Sequence, residues 1–251
     1  MTEPFIEPDW PAPQSVLAIC TTRQGGCSAA PYENFNLAHY VGDIDSSVAQ
    51  NRSILATALP DDAAVSWLSQ VHGSVVVQAG QGSRYPSADA QWSRSQGEAC
   101  AILTADCLPV LLCSEAGDVI AAAHAGWRGL LAGVLESTVE AMKTGADELL
   151  VWLGPAIGPA AFEVGPEVRH SFLVATCPSA VPAVAACFLP NPARPEHYFC
   201  DLYALAHLRL NALGVTNIFG GSFCTYSDSE RFYSFRRDGE TGRMASVIML
   251  R

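Results

Sequence analysis

Three side chains in this sequence are reactive, and each stands where an apolar run stops at a small-residue turn. His72 closes QVHG (Gln70–Gly73), Cys107 sits in TADCLP, and His124 ends the run Val119–Ala123 just before AGWRG. Reactive groups at strand ends beside glycine-rich turns are where sites are commonly built. Two imidazoles and a thiolate suit zinc, and three protein ligands leave a fourth position for water or substrate. Such a metal brings the pKa of its water to about 7. A structural zinc would take a fourth ligand, for which Cys100 or Cys113 is available. The same residues also allow a metal-free reading, with Cys107 as nucleophile and His124 as its base, oriented by Asp106 or a backbone carbonyl.

Around these three lie candidate anion contacts. AGWRG opens a helix whose first N–H groups are free, and the Arg128 fork suits phosphate or carboxylate. Arg23 in TTRQGG and the pair Arg236-Arg237 are further basic candidates. Trp127, Phe162 and Tyr226 could stack on a flat ring. His170 and His207 fall in expected helices and His197 follows a proline-rich stretch, so these three read as structural. The sequence has no GxGxxG or GxxxxGK[ST] loop and no HxE…PCxxC deaminase pattern. Six histidines without HxH spacing are too few for a copper-cluster oxidase.

The elements that must hold these residues can be read from periodicity. Strands are expected at Val16–Cys20, Ser66–Gln70, Val75–Ala79, Ala101–Leu103, Val110–Cys113, Val119–Ala123, Glu148–Leu153 and Val215–Phe219. Arg231–Phe235 and Met244–Leu250 read as the arms of a hairpin joined by RRDGETGR. Helices are expected at Asp45–Leu59, from Leu130 to Met142, at Gly165–Ala175, and at Asp201–Leu213 with Asp201 as its N-cap. Gln81–Gly97 reads as turn-rich, and the five prolines of Cys177–Pro195 mark an irregular excursion. Strands and helices mix without strict alternation, which argues for an α+β domain with mixed sheets, residues 1–251 forming one catalytic unit.

Composition bounds the function. With 49% apolar and 16% charged residues, the 251-residue chain is globular. A net charge of −11 argues against nucleic acid or anionic membrane as a general partner. There is no apolar run of 18 residues, and the acidic, proline-rich start MTEPFIEPDWPAP lacks the pattern of a secretory signal. Nine scattered cysteines, an odd number, argue against a disulfide framework, and a cytoplasmic location is expected.

QVHG, TADCLPVLL, AAHAGWRGLLAGV, LGPAIGPAAFEVG and the ending FYSFRRDGETGRMASVIML occur in order over nearly the whole chain, with TTRQGG near the start. Together they resemble the family variously called bacterial polyphenol oxidase or laccase, purine nucleoside phosphorylase, and peptidoglycan editing factor, related to the animal protein FAMIN. The resemblance implies a single-domain α+β fold of layered mixed sheets flanked by helices, of αββα type and similar to cysteine-hydrolase toxins. It also implies a zinc ion on His72, Cys107 and His124, the trio already reached. The activities it implies are phosphate-dependent cleavage of adenosine, inosine, guanosine and methylthioadenosine, together with adenosine deamination. Family members often carry an extra residue around NLAHYVGD, the stretch that supplies Asn36 and His39.

The expectation is therefore a monomeric, zinc-dependent purine nucleoside phosphorylase with adenosine deaminase activity. Arg128, Arg23 and Asn36 are its candidate contacts to phosphate or nucleoside. The rivals are a Cys107–His124 amidase editing peptidoglycan precursors, a copper-dependent oxidase of phenols, and a zinc-stabilised protein without turnover.

Overall fold

The computed structural model describes residues 3–251. Two sheets packed face to face form its centre. The first runs β1 (Phe5–Ile6), β2 (Val16–Thr21), β14 (Met244–Leu250), β6 (Glu98–Thr104) and β3 (Ala64–Ser66), antiparallel except for the β3–β6 pair. The second holds six strands in the order β13 (Asn217–Gly220), β9 (Leu149–Leu153), β7 (Leu108–Ser114), β8 (Ile120–Ala125), β5 (Ala90–Ser93) and β4 (Val76–Gln78). A small third sheet orders β10 (Glu163–Val164), β12 (Tyr198–Cys200) and β11 (Phe188–Pro190).

Side-chain alternation assigns each face. Leu111, Cys113, Ile120, Ala122 and Trp152 face Cys100, Ile102 and Ile248 of the first sheet. The opposite face, through Leu108, Val110, Ala121, Ala123 and Val151, meets the helices α2 (Trp127–Ala132), α3 (Val134–Met142), α4 (Pro166–Val174), α5 (Val181–Ala186) and α6 (Leu202–Ala212). β7 is buried on both faces, which is why it reads as a continuous apolar run rather than an alternating one. The outer face of the first sheet is covered by α1 (Asp45–Ala56) and by Phe35, Leu37 and Ala38 of the preceding loop. The layers thus run helix, sheet, sheet, helix: a single α+β unit of mixed sheets.

Four local expectations need correction. Arg231–Phe235 is not a strand. Ser234 accepts a hydrogen bond from the Arg237 N–H at 3.2 Å and caps the short helix α7 (Phe235–Asp238), while β14 pairs with β2 and β6 instead. Gln81–Gly97 contains β5. The proline-rich excursion contains α5 and β11, because Pro182 sits in the first turn of α5, where a missing N–H costs nothing. The helix expected from Leu130 begins earlier and breaks at Gly133, whose φ of +89° favours glycine, leaving α2 only six residues long.

Candidate active site

Three chain turns converge at one end of the two central sheets. The turn from β6 to β7 carries Cys107, the end of β8 carries His124, and the loop between β3 and β4 carries His72. β7 and β8 are paired with Leu108 opposite Ala125 and Pro109 opposite His124, so Cys107 reaches the sheet end beside Gly126. A Cβ on Gly126 would lie 2.7 Å from Cys107 Sγ and 3.4 Å from His72 Cδ2. That glycine is therefore required by space and not by its φ of −63°. A Cβ on Gly129 would likewise meet the carbonyls of His124 and Gly73 at 3.1 and 3.2 Å.

The loop bearing His72 is fastened from both sides. Gln70 clamps Leu103 of β6 twice, donating from Nε2 to its carbonyl and accepting its N–H at Oε1, both at 2.8 Å. Asp89, fully buried at the entrance to β5, accepts the N–H groups of Val71, His72 and Gly73 at 3.2, 2.8 and 2.7 Å. Its Oδ1 also lies 2.8 Å from Nδ1 of His124. One carboxylate thus sets both the backbone carrying the first histidine and the ring of the second. His72 keeps φ at +62°, a backbone state rare outside glycine and asparagine. Asp89 was absent from the residues singled out in the sequence. Its signal there was faint, a lone acid between alanines in SADAQW.

The three candidate ligand atoms lie within 4.8 Å of one another, with Cys107 Sγ 3.9 Å from His72 Nε2. The two imidazoles meet edge to face, centroids 4.7 Å apart. A tetrahedral zinc with bonds of about 2.0–2.3 Å places such atoms roughly 3.3–3.6 Å apart. A shift of about 1 Å or less would close the set. The donor chemistry fits as well. Because Asp89 accepts from Nδ1 of His124, Nε2 is the nitrogen left to face Cys107 and a metal.

Electrostatics within the trio favour a thiolate. Burial works against the charged Cys107, yet the imidazoles of His124 and His72 outweigh it by charge and hydrogen bonding, drawing the thiol down to about 6. Burial also disfavours a charged His124, but the Cys107 thiolate and the Asp89 carboxylate lift its pKa to about 9. Asp89 is held below the ordinary carboxylate range, since the contacts from His124, Gly73 and His72 outweigh its burial. The metal-free pair is therefore thiolate and imidazolium, and a cation entering the trio displaces the imidazolium proton.

Among the described residues this is the one cluster that could hold a metal, and it has three members. Cys113 stands at the far end of β7, roughly 20 Å along the strand from Cys107 at about 3.3 Å per residue. Cys100 points between the sheets. Neither supplies a fourth ligand. Asp106 does not orient His124. Its φ is +90°, and its carboxylate accepts the Thr225 hydroxyl and the Arg236 N–H, both at 2.6 Å, which ties the Cys107 turn to the C-terminal segment. The GPAIGP turn braces the same point through Ile157 N–H to the Asp106 carbonyl at 2.9 Å.

The trio opens into a cavity of about 350 Å³, within the ordinary range for small-molecule sites. Trp127, Phe162 and Phe235 supply flat apolar wall, and Arg128, Arg236 and Arg243 supply positive charge. Arg128 lies over Trp127 at 4.2 Å, and Arg236 over Phe162 at 5.3 Å while donating to the Glu163 carbonyl. None of the three forms an ion pair among the described residues. Arg237, by contrast, is spent on the carbonyls of Thr225, Tyr226 and Phe232 and on Asp238.

Of the sequence candidates, then, His72, Cys107, His124, Arg128 and Arg236 come together with Trp127 and Phe162, whereas Tyr226 does not line the cavity. Arg23 and Asn36 do not line the cavity. Arg23 stacks on Tyr233 and binds the carbonyls of Glu33 and Ser229. Asn36 is fully buried, accepts the N–H groups of Ala38 and Arg243, and donates to Asp43, so it fixes the backbone that carries Arg243. Six-residue α2 offers little aligned dipole, so any anion affinity here falls to the arginine side chains. Arg243 itself has no distinctive sequence signal.

Fold and site together define an α+β protein with an open two-histidine, one-cysteine metal-type centre beside a basic cavity. A family model described as multi-copper polyphenol oxidoreductase laccase matches residues 17–251, and the chain belongs to that family. A purine nucleoside phosphorylase of Pseudomonas aeruginosa is 52% identical over 246 residues, covering 98% of each chain. The Escherichia coli purine nucleoside phosphorylase YfiH is 49% identical over 249 residues, again 98% of each. A crystal structure of a Neisseria meningitidis protein superposes with a TM-score of 0.91 at 44% identity, covering 99% of both chains.

Proposed function

We propose that the chain is a zinc-dependent purine nucleoside phosphorylase that also deaminates adenosine. The observation that carries this reading is the placement of a three-ligand centre and three carboxylate-free arginines around one flat-walled cavity. The names of the relatives at 52% and 49% identity support the phosphorylase part of this reading. His72, Cys107 and His124 would hold the metal, which when bound supplies Lewis acidity and an activated water at neutral pH. The aromatic walls orient a purine. Arg128, Arg236 and Arg243 bind phosphate and place its oxygen toward C1′ of the nucleoside. The C1′–O bond forms as the C1′–N9 bond breaks, the hydrogenphosphate proton passes to the departing base, and the pentose leaves as its 1-phosphate.

Cys107 acts here as ligand and not as nucleophile. Zinc is preferred to copper because only two of the six histidines reach the site and no methionine lines the cavity to complete a copper centre. All nine cysteines are free, which suits a reducing compartment, and we assign the protein to the cytoplasm. One chain supplies the whole trio, so a monomer suffices.

The test is to incubate metal-quantified protein with adenosine and inosine, with and without phosphate and a chelator, and to identify products by chromatography. Phosphate-dependent release of free base, lost with chelator and in Cys107→Ala, is expected. Chelator-resistant turnover that is abolished by thiol alkylation would assign Cys107 as a nucleophile and overturn the reading.

A further inference from the structure

Beside the reaction cavity lies a second one of about 410 Å³, and Tyr40 and Leu103 form a wall common to both. Its charged lining is Arg52, Arg84, His39 and Asp45. Arg52 is locked in place. Its Nε and Nη2 donate to the Leu37 carbonyl at 3.0 and 2.9 Å, its Nη1 donates to the Tyr85 hydroxyl at 3.2 Å, and its plane lies 3.9 Å above the Trp67 ring. A guanidinium has five donors, so two N–H groups remain without a protein acceptor. Arg84 stacks on Tyr85, 5.4 Å from the ring centre, and makes no hydrogen bond of its own.

Neither arginine forms an ion pair among the described residues. The lobe's carboxylate, Asp45, faces His39 at 3.5 Å. In a chain of net charge −11, two guanidinia lining one hollow without an ion pair to its carboxylate leave a positive charge for something else to meet. Burial pushes the Arg52 pKa down from its ordinary value, so the charge is held there against a desolvation cost. A fixed fork, a stacked plane and unused donors are the features that recognise a phosphate group.

We propose that this lobe is an anion subsite for a phosphate carried on the substrate, so that the cleft accepts phosphorylated purine nucleosides whose base and sugar occupy the reaction cavity. The proposal rests on the nucleoside reading above and extends its substrate class. Tyr40 stands at the junction, where the sugar of such a substrate would pass. The interaction is partly exposed and weakens with salt.

The experiment measures binding of adenosine and adenosine 5′-monophosphate to the metal-loaded full chain by calorimetry at low ionic strength. The monophosphate is expected to bind about tenfold more tightly, roughly one charge-assisted hydrogen bond. That preference should fall to near unity in Arg84→Ala and in Arg52→Gln. Arg84 makes no hydrogen bond, so its removal does not threaten the fold. Arg194→Ala, which removes the same charge outside the lobe, should keep the ratio.

Equal affinity for the two ligands in the wild type overturns the proposal, as does a preference that survives in both variants. Inorganic phosphate is titrated in parallel. If the two variants lose affinity for it while the wild type shows no preference for the monophosphate, the lobe serves free phosphate and the proposal fails. Turnover is read separately. A chain that binds both ligands and cleaves neither contradicts the phosphorylase reading, while the affinity ratio still decides the subsite.

Discussion

Replacing Asp89 with Asn separates the two duties of that residue. Each carboxylate oxygen receives two donors: Oδ1 takes His72 N–H and His124 Nδ1, and Oδ2 takes Gly73 N–H and Val71 N–H. An amide keeps the shape but turns one acceptor into a donor. In the less costly orientation its NH₂ faces the N–H groups of Val71 and Gly73, leaving both unsatisfied at a buried site. At about 1–3 kcal/mol for each of the two donors, a loss of roughly 2–6 kcal/mol follows. At about 2–4 °C per kcal/mol for a chain of this size, that lowers the melting temperature by about 4–24 °C. The effect on metal is distinct. Loss of the carboxylate behind a ligating histidine typically costs about 10–100-fold in metal affinity. Thermal unfolding of metal-free protein reads the first effect, and competition with a chromophoric chelator reads the second. A variant that melts early but binds zinc with wild-type affinity would show that Asp89 only holds the loop, and would refute its role in orienting His124.

Gly126→Ala should reduce zinc affinity at least about tenfold with secondary structure intact, because its Cβ would sit 2.7 Å from Cys107 Sγ; unchanged affinity in the same titration would contradict the geometry. In metal-free protein the Cys107 thiol, drawn down to about 6, should be alkylated by iodoacetamide at pH 7 and protected by zinc. Peptide mass mapping should show the buried Cys20, Cys100 and Cys113 unlabelled in both states, and labelling of Cys107 that ignores zinc would argue against it as a ligand. The adjacent arginines should separate by function. Arg237→Ala should lower the melting temperature by a few degrees, since it strips donors from three carbonyls, whereas Arg236→Ala, which gives up one exposed bond, should raise the KM for phosphate and lower melting by less.

The trio was legible in the sequence because each member interrupts or ends an apolar run, and a buried strand has no other use for a histidine or a turn cysteine there. The helix–sheet–sheet–helix layering was legible through the resemblance, and the strands themselves through runs such as LPVLLCS and VIML. Asp89 was not. Its partners His72 and His124 lie 17 and 35 residues away, and no periodicity records a hydrogen bond at that range. The false hairpin at Arg231–Phe235 had a physical cause as well. RFYSF carries the aromatic content of a strand, but Ser234 spends its oxygen capping α7 and Phe232 and Tyr233 pack into a small separate cluster with Met244.

In sequence, AGWRG reads as a helix start whose free N–H groups attract anions. The geometry of its small residues argues for something else. Gly126 clears space for the sulfur of Cys107, and Gly129 lets α2 settle against the carbonyls of His124 and Gly73. A side chain at either position would push apart two of the three turns that carry the ligand atoms. Asp89 and Gln70 pull those turns together while the glycines let them meet, so the candidate metal centre and the tight turn are one structural constraint. On the proposed function, anion binding falls to arginines that reach the cavity from three separate segments: α2 for Arg128, α7 for Arg236, and the entry to β14 for Arg243. Because they share no spacing, no local pattern in the sequence could have grouped them.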